Sequence, residues 1–168
     1  MGFYVKITDE MKRQAEDFAM ASLGETFDRF NYDRSVRLNK IYVGKLGEII
    51  FAEFMKGKGV ELAVDFNSNS GGKPYDFSLM GKTIDVKSGT KPHHRRLLIV
   101  QDHFEHSGGC DYYPAVNVYA NHGEVFGYAT KEDIKNSKVE YIKSLSHVIF
   151  YKDLRDINEL AEVLSNDS

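Results

Sequence analysis

A single cysteine, Cys110, stands among 168 residues. No internal disulfide can form, which suits a reducing compartment. No apolar run approaches the ~18 residues that a membrane span needs. The first residues, Met1 to Lys6, lack the basic and then apolar pattern of a signal peptide. The expectation is a cytoplasmic protein with no membrane partner. Neither sign of charge dominates: 22 Lys and Arg stand against 25 Asp and Glu, a net charge of -3. Bulk charge therefore does not mark a nucleic-acid binder, and any basic patch must be local. Internal repeats and a domain boundary are also missing. One domain over residues 1–168 is expected, with 42% hydrophobic residues to build a sizeable core.

What is present alternates between helical and strand patterns. Thr8 or Asp9 caps a first helix over 8–23, with Met11, Ala15, Phe18 and Ser22 at helical spacing. Residues 24–35 read as a polar connection. A second helix is expected from about Val36 to Met55, apolar nearly all round at Leu46 to Ala52 and ended by Gly57 and Gly59. Val60 to Phe66 reads as a strand, and Asn67 to Gly72 as a loop. Leu97 to Val100 is a short buried strand, and 102–111 is polar and irregular. Tyr112 to Ala120 and Glu124 to Ala129 form a hairpin turned at Asn121–Gly123, with Pro114 at an edge or bulge. Thr130 and Asp133 resemble a capping box for a short helix. A strand at His147 to Tyr151 and a last helix over 153–164 complete the chain. The fold class expected is α/β, a mixed sheet covered by helices.

The most informative segment runs from Lys73 to Ser88 and reads as a β-hairpin about Met80-Gly81-Lys82. Side chains alternate along a strand, so Tyr75, Phe77, Leu79, Ile84 and Val86 share one face. Asp76, Ser78, Asp85 and Lys87 share the other. A turn at Met80-Gly81 places Asp76 opposite Asp85; a turn at Gly81-Lys82 places it opposite Lys87. Both registers keep the two acids and the lysine on one face. Carboxylates so close repel unless a cation or a proton lies between them.

Cleaving a phosphodiester requires an activated water, neutralisation of the phosphate and support for the leaving oxygen, and a divalent metal serves all three. Mg²⁺ takes hard oxygen ligands and keeps several waters. Asp76 and Asp85 offer such oxygens, and Lys87 stands beside Asp85 to orient water or stabilise charge. Glu48 is a fourth candidate, since a carboxylate amid Ile49, Ile50 and Phe51 is costly to bury unpaired. Gly44 and Gly47 would let its helix approach another backbone and aim Glu48 at the hairpin's polar face.

Taken in order, Gly44-Lys45-Leu46-Gly47-Glu48, Pro74-Tyr75-Asp76 and Ile84-Asp85-Val86-Lys87 resemble the PD-(D/E)XK, or restriction-endonuclease-like, nuclease superfamily. The resemblance covers about 36–130. It departs from the family pattern where Tyr75 intervenes between Pro74 and Asp76. The resemblance implies an αβββαβ core on a mixed sheet, and metal held by Asp76, Asp85 and the Val86 carbonyl. It further implies that Lys87 is catalytic and that Glu48 assists. The implied activity is Mg²⁺-dependent hydrolysis of DNA, with Mn²⁺ able to substitute. RNA is the less favoured substrate, and a non-catalytic binding module the alternative outside enzymes. A homodimer would supply the two sites that cutting both strands needs.

Nucleic-acid contacts are expected from the basic run Lys91, His93, His94, Arg95 and Arg96, just past Lys87. Gln101 is a weaker candidate, by likeness to branches of the superfamily with a glutamine near this point. Arg29, Arg34, Arg37 and Lys40 read as solvated surface. His103, His106 and Cys110 lack the paired spacing of a structural zinc site.

Overall fold

A computed structural model describes residues 2–23, 31–68 and 73–166. In chain order the elements are β1 (Phe3–Lys6), α1 (Asp9–Leu23), α2 (Asn31–Gly57), β2 (Phe77–Leu79), β3 (Lys82–Ile84) and β4 (Lys87–Gly89). They continue with β5 (Arg96–Val100), α3 (Gln101–Ser107), β6 (Tyr112–Val118), β7 (His122–Thr130) and α4 (Lys131–Lys135). The chain ends with β8 (Lys138–Tyr141), β9 (Leu145–Phe150), a 3₁₀ turn at Tyr151–Asp153, β10 (Arg155–Asp156) and α5 (Ile157–Asn166).

The main sheet runs β1-β7-β6-β3-β2, with β4 continuing β3 along β6 and β10 adding to β7. It is mixed: β3 and β4 lie parallel to β6, and the other pairs are antiparallel. β6 is buried on both faces, as a central strand of a covered sheet must be. On one face α2 and α5 contribute Leu46, Ile50, Phe51, Met55, Leu160 and Leu164 to a core with Phe77, Ile84 and Val116. On the other, Tyr113 and Ala115 join Leu97, Ile99, Phe104 and Ile134. That second core is roofed by a separate antiparallel sheet, β5-β9-β8.

Local chemistry explains the element ends. The Met11 N–H donates to Thr8 Oγ1 at 3.2 Å, so Thr8 caps α1. Thr130 and Asp133 form a reciprocal capping box at α4. Met80 (φ 53°) and Gly81 (φ 79°) occupy the left-handed region together, as a two-residue type I′ turn requires. The register Phe77↔Ile84, Ser78↔Thr83, Leu79↔Lys82 follows from it. β3 and β4 are one strand interrupted at Asp85–Val86, and Pro114 supplies the reason. The Asp85 N–H donates to the Tyr112 carbonyl at 3.0 Å. The next rung of a parallel ladder would come from residue 114, and proline has no N–H to give.

Several sequence expectations need correction. Val60–Phe66 is not a strand. Val60 is buried and Leu62 and Val64 pack against the core, so the apolar alternation is satisfied by side-chain packing without a ladder partner. The segment 102–111 is not wholly irregular: Gln101–Ser107 is helix α3, closed by Gly108 in the left-handed region. Leu97–Val100 is a strand, but it pairs with β9 in the small sheet rather than joining the main one. Helix α2 begins at Asn31, so part of the expected polar connection is helical. The turn between β6 and β7 lies at 119–121, earlier than Asn121–Gly123, and Leu154 precedes the last helix. Pro114 sits in the central strand rather than at an edge, tolerated because the neighbouring strand breaks beside it, and the expected bulge lies next to it, where the β6–β7 register shifts between Ala115 and Val116. Strands β1, β8 and β10 carry too little alternation to be seen in the sequence. Arg29 and the 69–72 part of the expected loop lie outside the described residues. No helix among the described residues is long and apolar enough to cross a membrane.

Candidate active site

Glu48 reaches the hairpin because Gly47 lets α2 settle onto β4. A Cβ at Gly47 would lie 1.9 Å from Ser88 Oγ and 3.0 Å from Ser88 Cβ, a contact only a glycine permits. Gly44, by contrast, faces open space. Glu48 is thereby mostly buried and hydrogen-bonded to the Asp76 carboxyl. Asp76 precedes β2, where the backbone pairing opens. Its N–H donates to the Ile84 carbonyl at 2.9 Å, and its Oδ2 accepts the Val86 N–H at 2.7 Å. The turn at Met80-Gly81 sets the register that brings Asp76 to Asp85.

The three acids are close enough to act on one another. Burial, then the charges of Glu48 and Asp85, push the Asp76 carboxyl up to about 8. Burial also raises Glu48, against the opposing pull of Lys45. The Asp76 carboxyl is thereby shifted towards its protonated form, because three negative charges in one partly desolvated nest would repel. Lys87 Nζ pairs with Asp85 Oδ2 at 2.9 Å, with the lysine one-third exposed.

Sequence reasoning missed one partner. Lys45 is buried, its Nζ 2.6 Å from Glu48 Oε2, 2.7 Å from the Asp65 carbonyl and 4.1 Å from the Phe18 ring centre. The i,i+3 spacing to Glu48 was the available signal. The Asp65 carbonyl and the Phe18 ring come from distant segments and gave none.

Two clefts flank the cluster. One, of about 390 Å³, is lined by Glu48, Asp76, Lys45, Asp65 and Lys73. The other, of about 600 Å³, opens beyond Lys87 and is lined by Lys91, His94 and Arg96 of the basic run. Arg95 instead lies over the Phe126 ring at 5.2 Å, and His93 packs edge-on against His94 at 4.3 Å. Gln101 lines a third cleft with Phe104 and His147, away from the acids. Cys110 is buried, and burial followed by the charge of Asp85 pushes its thiol up, the wrong direction for a nucleophile.

Among the described residues no three His, Cys, Asp or Glu side chains stand ready-spaced around a metal. The donors themselves, two aspartates and a peptide carbonyl, are the hard oxygens that a divalent ion such as Mg²⁺ takes. Comparison of the chain with protein-family models, curated proteins and solved structures finds no match.

Proposed function

We propose that this chain is a metal-dependent endonuclease of the restriction-endonuclease-like kind that hydrolyses DNA phosphodiester bonds. One observation carries it: Glu48 from helix α2, Asp76 just before β2 and Asp85 in the break between β3 and β4 come close enough to act on one another, with Lys87 paired to Asp85. Burying mutually repelling acids costs stability, and a site without chemistry gives no return for it. The element order supports the same reading: α2, β2, β3 with β4, β5, α3 and β6 follow the αβββαβ sequence of that core, and β6 lies parallel to the lysine-bearing strand. The departure is β5, which sits in the small sheet.

A divalent metal held by Asp76, Asp85 and the Val86 carbonyl would supply charge neutralisation and an acidified water. Asp76 must then give up its proton, which the coupling to Glu48 and Asp85 makes pH-sensitive. Lys87, partly exposed and already held by Asp85, places an ammonium where a phosphate oxygen or attacking water would lie. Glu48, tethered by Lys45, holds Asp76 in place and accepts a hydrogen bond from it.

The test is plasmid nicking in Mg²⁺. Lys87→Ala is expected to lose at least about a hundredfold in rate, the usual scale for one charge-stabilising group, while circular dichroism stays unchanged. Undiminished nicking would remove Lys87 from the chemistry. Parallel assays on single-stranded RNA and duplex DNA separate the two substrates.

A further inference from the structure

The cleft beyond Lys87 is unlike the acidic one. Its lining includes Lys40 from α2, Lys91, His94 and Arg96 from the basic run, and Lys143 from the β8–β9 turn, and no Asp or Glu. Three segments distant in sequence thus bring Lys40, Lys91, Arg96 and Lys143, with Lys87, to one concavity of about 600 Å³. Burial and then the neighbouring positive charges of His93, Lys91 and Arg96 hold the His94 imidazole below its ordinary value. The cleft also contains apolar surface. Leu98 and Val100 of β5 and Ile142 of the turn line it, and Val100 is 44% exposed. Val100 and Arg96 lie on the same face of the small sheet, since they stand four residues apart on one strand. Tyr151 closes one wall, fixed by its hydroxyl on Asn117 Oδ1 at 3.1 Å and its ring stacked on Phe126 at 4.6 Å.

A cationic rim over an apolar floor fits one occupant better than its alternatives. A duplex turns its sugar–phosphate surface outward and hides its base faces, so its phosphates would meet Leu98, Val100 and Ile142 unfavourably. An unpaired strand shows both parts, phosphates for the rim and base faces for the floor. An acidic peptide would satisfy the cations and leave the floor exposed. We propose that this cleft, built by the small sheet against α2 and β4, holds an unpaired stretch of nucleic acid and leads it past Lys87. The cleaved substrate would then be a junction, flap or frayed end rather than an uninterrupted duplex. This rests on the nuclease reading only for the consequence of binding, not for binding itself.

Fluorescence anisotropy in EDTA, where no cleavage occurs, tests it with a labelled oligothymidylate and a blunt duplex of equal length. The single strand is expected to bind at least about tenfold more tightly than the duplex. Lys143→Glu should weaken that binding about tenfold or more and flatten its salt dependence, because it removes a phosphate contact. Val100→Ser should weaken it without altering the salt slope. Both residues are exposed, so thermal unfolding is expected to be unchanged. Equal or tighter duplex binding, or unchanged single-strand affinity in both variants, would overturn the proposal. The two readings fail separately. Single-strand binding without cleavage of plasmid, flap or single-stranded DNA in any divalent metal would refute the nuclease while leaving the cleft assignment standing. Nicking by a protein whose single-strand affinity ignores both Lys143 and Val100 would refute the cleft assignment alone.

Discussion

Gly47 is the hinge of the site's construction, and replacing it tests whether α2 is seated as described. An added Cβ would lie 1.9 Å from Ser88 Oγ and 3.0 Å from Ser88 Cβ. The hydroxyl can rotate, but the Cβ is fixed to the β4 backbone, so the helix must shift. Overpacking of this kind costs about 1–3 kcal/mol. The better helix propensity of alanine returns up to about 1 kcal/mol. Gly47→Ala should therefore lower stability by about 1–2 kcal/mol, the overpacking term remaining dominant. Gly44→Ala on the same helix meets nothing within 4 Å and should gain about 0.5–1 kcal/mol. Ser88 Oγ is buried with no hydrogen-bond partner among the described residues. Ser88→Ala alone should accordingly be neutral or mildly stabilising. In the double variant the closest clash is gone, and a favourable coupling of about 1 kcal/mol is expected. Urea unfolding of the four proteins measures the cycle. A Gly47→Ala protein as stable as Gly44→Ala would refute the close seating of α2 on β4, and with it the route by which Glu48 reaches Asp76.

Two further variants probe the nest itself. The folded chain holds a proton on Asp76 from the ordinary carboxylate value, 3.8, up to about 8. The folded state thus binds more protons than the unfolded one in that window, so metal-free stability falls as pH rises through it and levels above it. At about 1.4 kcal/mol per pH unit the upper bound is about 6 kcal/mol. Asp76→Asn, which mimics the protonated form, should lose much of that slope in urea midpoints from pH 5 to 9 with chelator present. An unaltered slope would show that Asp76 is not the group responsible. Lys45→Met leaves the mostly buried Glu48 carboxylate without its cation and should cost about 3 kcal/mol at pH 8. Because burial raises the Glu48 carboxyl, the loss should shrink as pH falls and Glu48 takes up a proton; a loss that does not change with pH would mean that Lys45 acts through packing alone.

The geometry of the candidate site was more legible than the fold around it. Asp76, Asp85 and Lys87 are readable because strand alternation is a local rule, and the Met80-Gly81 turn fixes its phase. Glu48 stood out because an acid in an apolar helix is expensive. Lys45 was less visible, since its carbonyl and ring partners come from Asp65 and Phe18. Val60–Phe66 misled because alternating apolar residues satisfy a core whether or not a ladder forms. Gln101–Ser107 was hidden because a seven-residue helix held by one buried Phe104 leaves almost no periodic signal.

By itself the sequence determined the two long helices, the hairpins, most of the residues that face together on each, and the excess of carboxylate near one lysine; Tyr75, expected beside Phe77 and Ile84, packs instead against the second core. These follow from periods of two and 3.6 residues, which neighbouring side chains impose directly. Tertiary structure alone decided that β5 leaves the main sheet for a second one, that Pro114 opens the strand at Asp85, and that Lys40 and Lys143 meet across one cleft. Each depends on contacts between segments tens of residues apart, whose pairing is chosen by the packing of the whole chain and not by any local pattern.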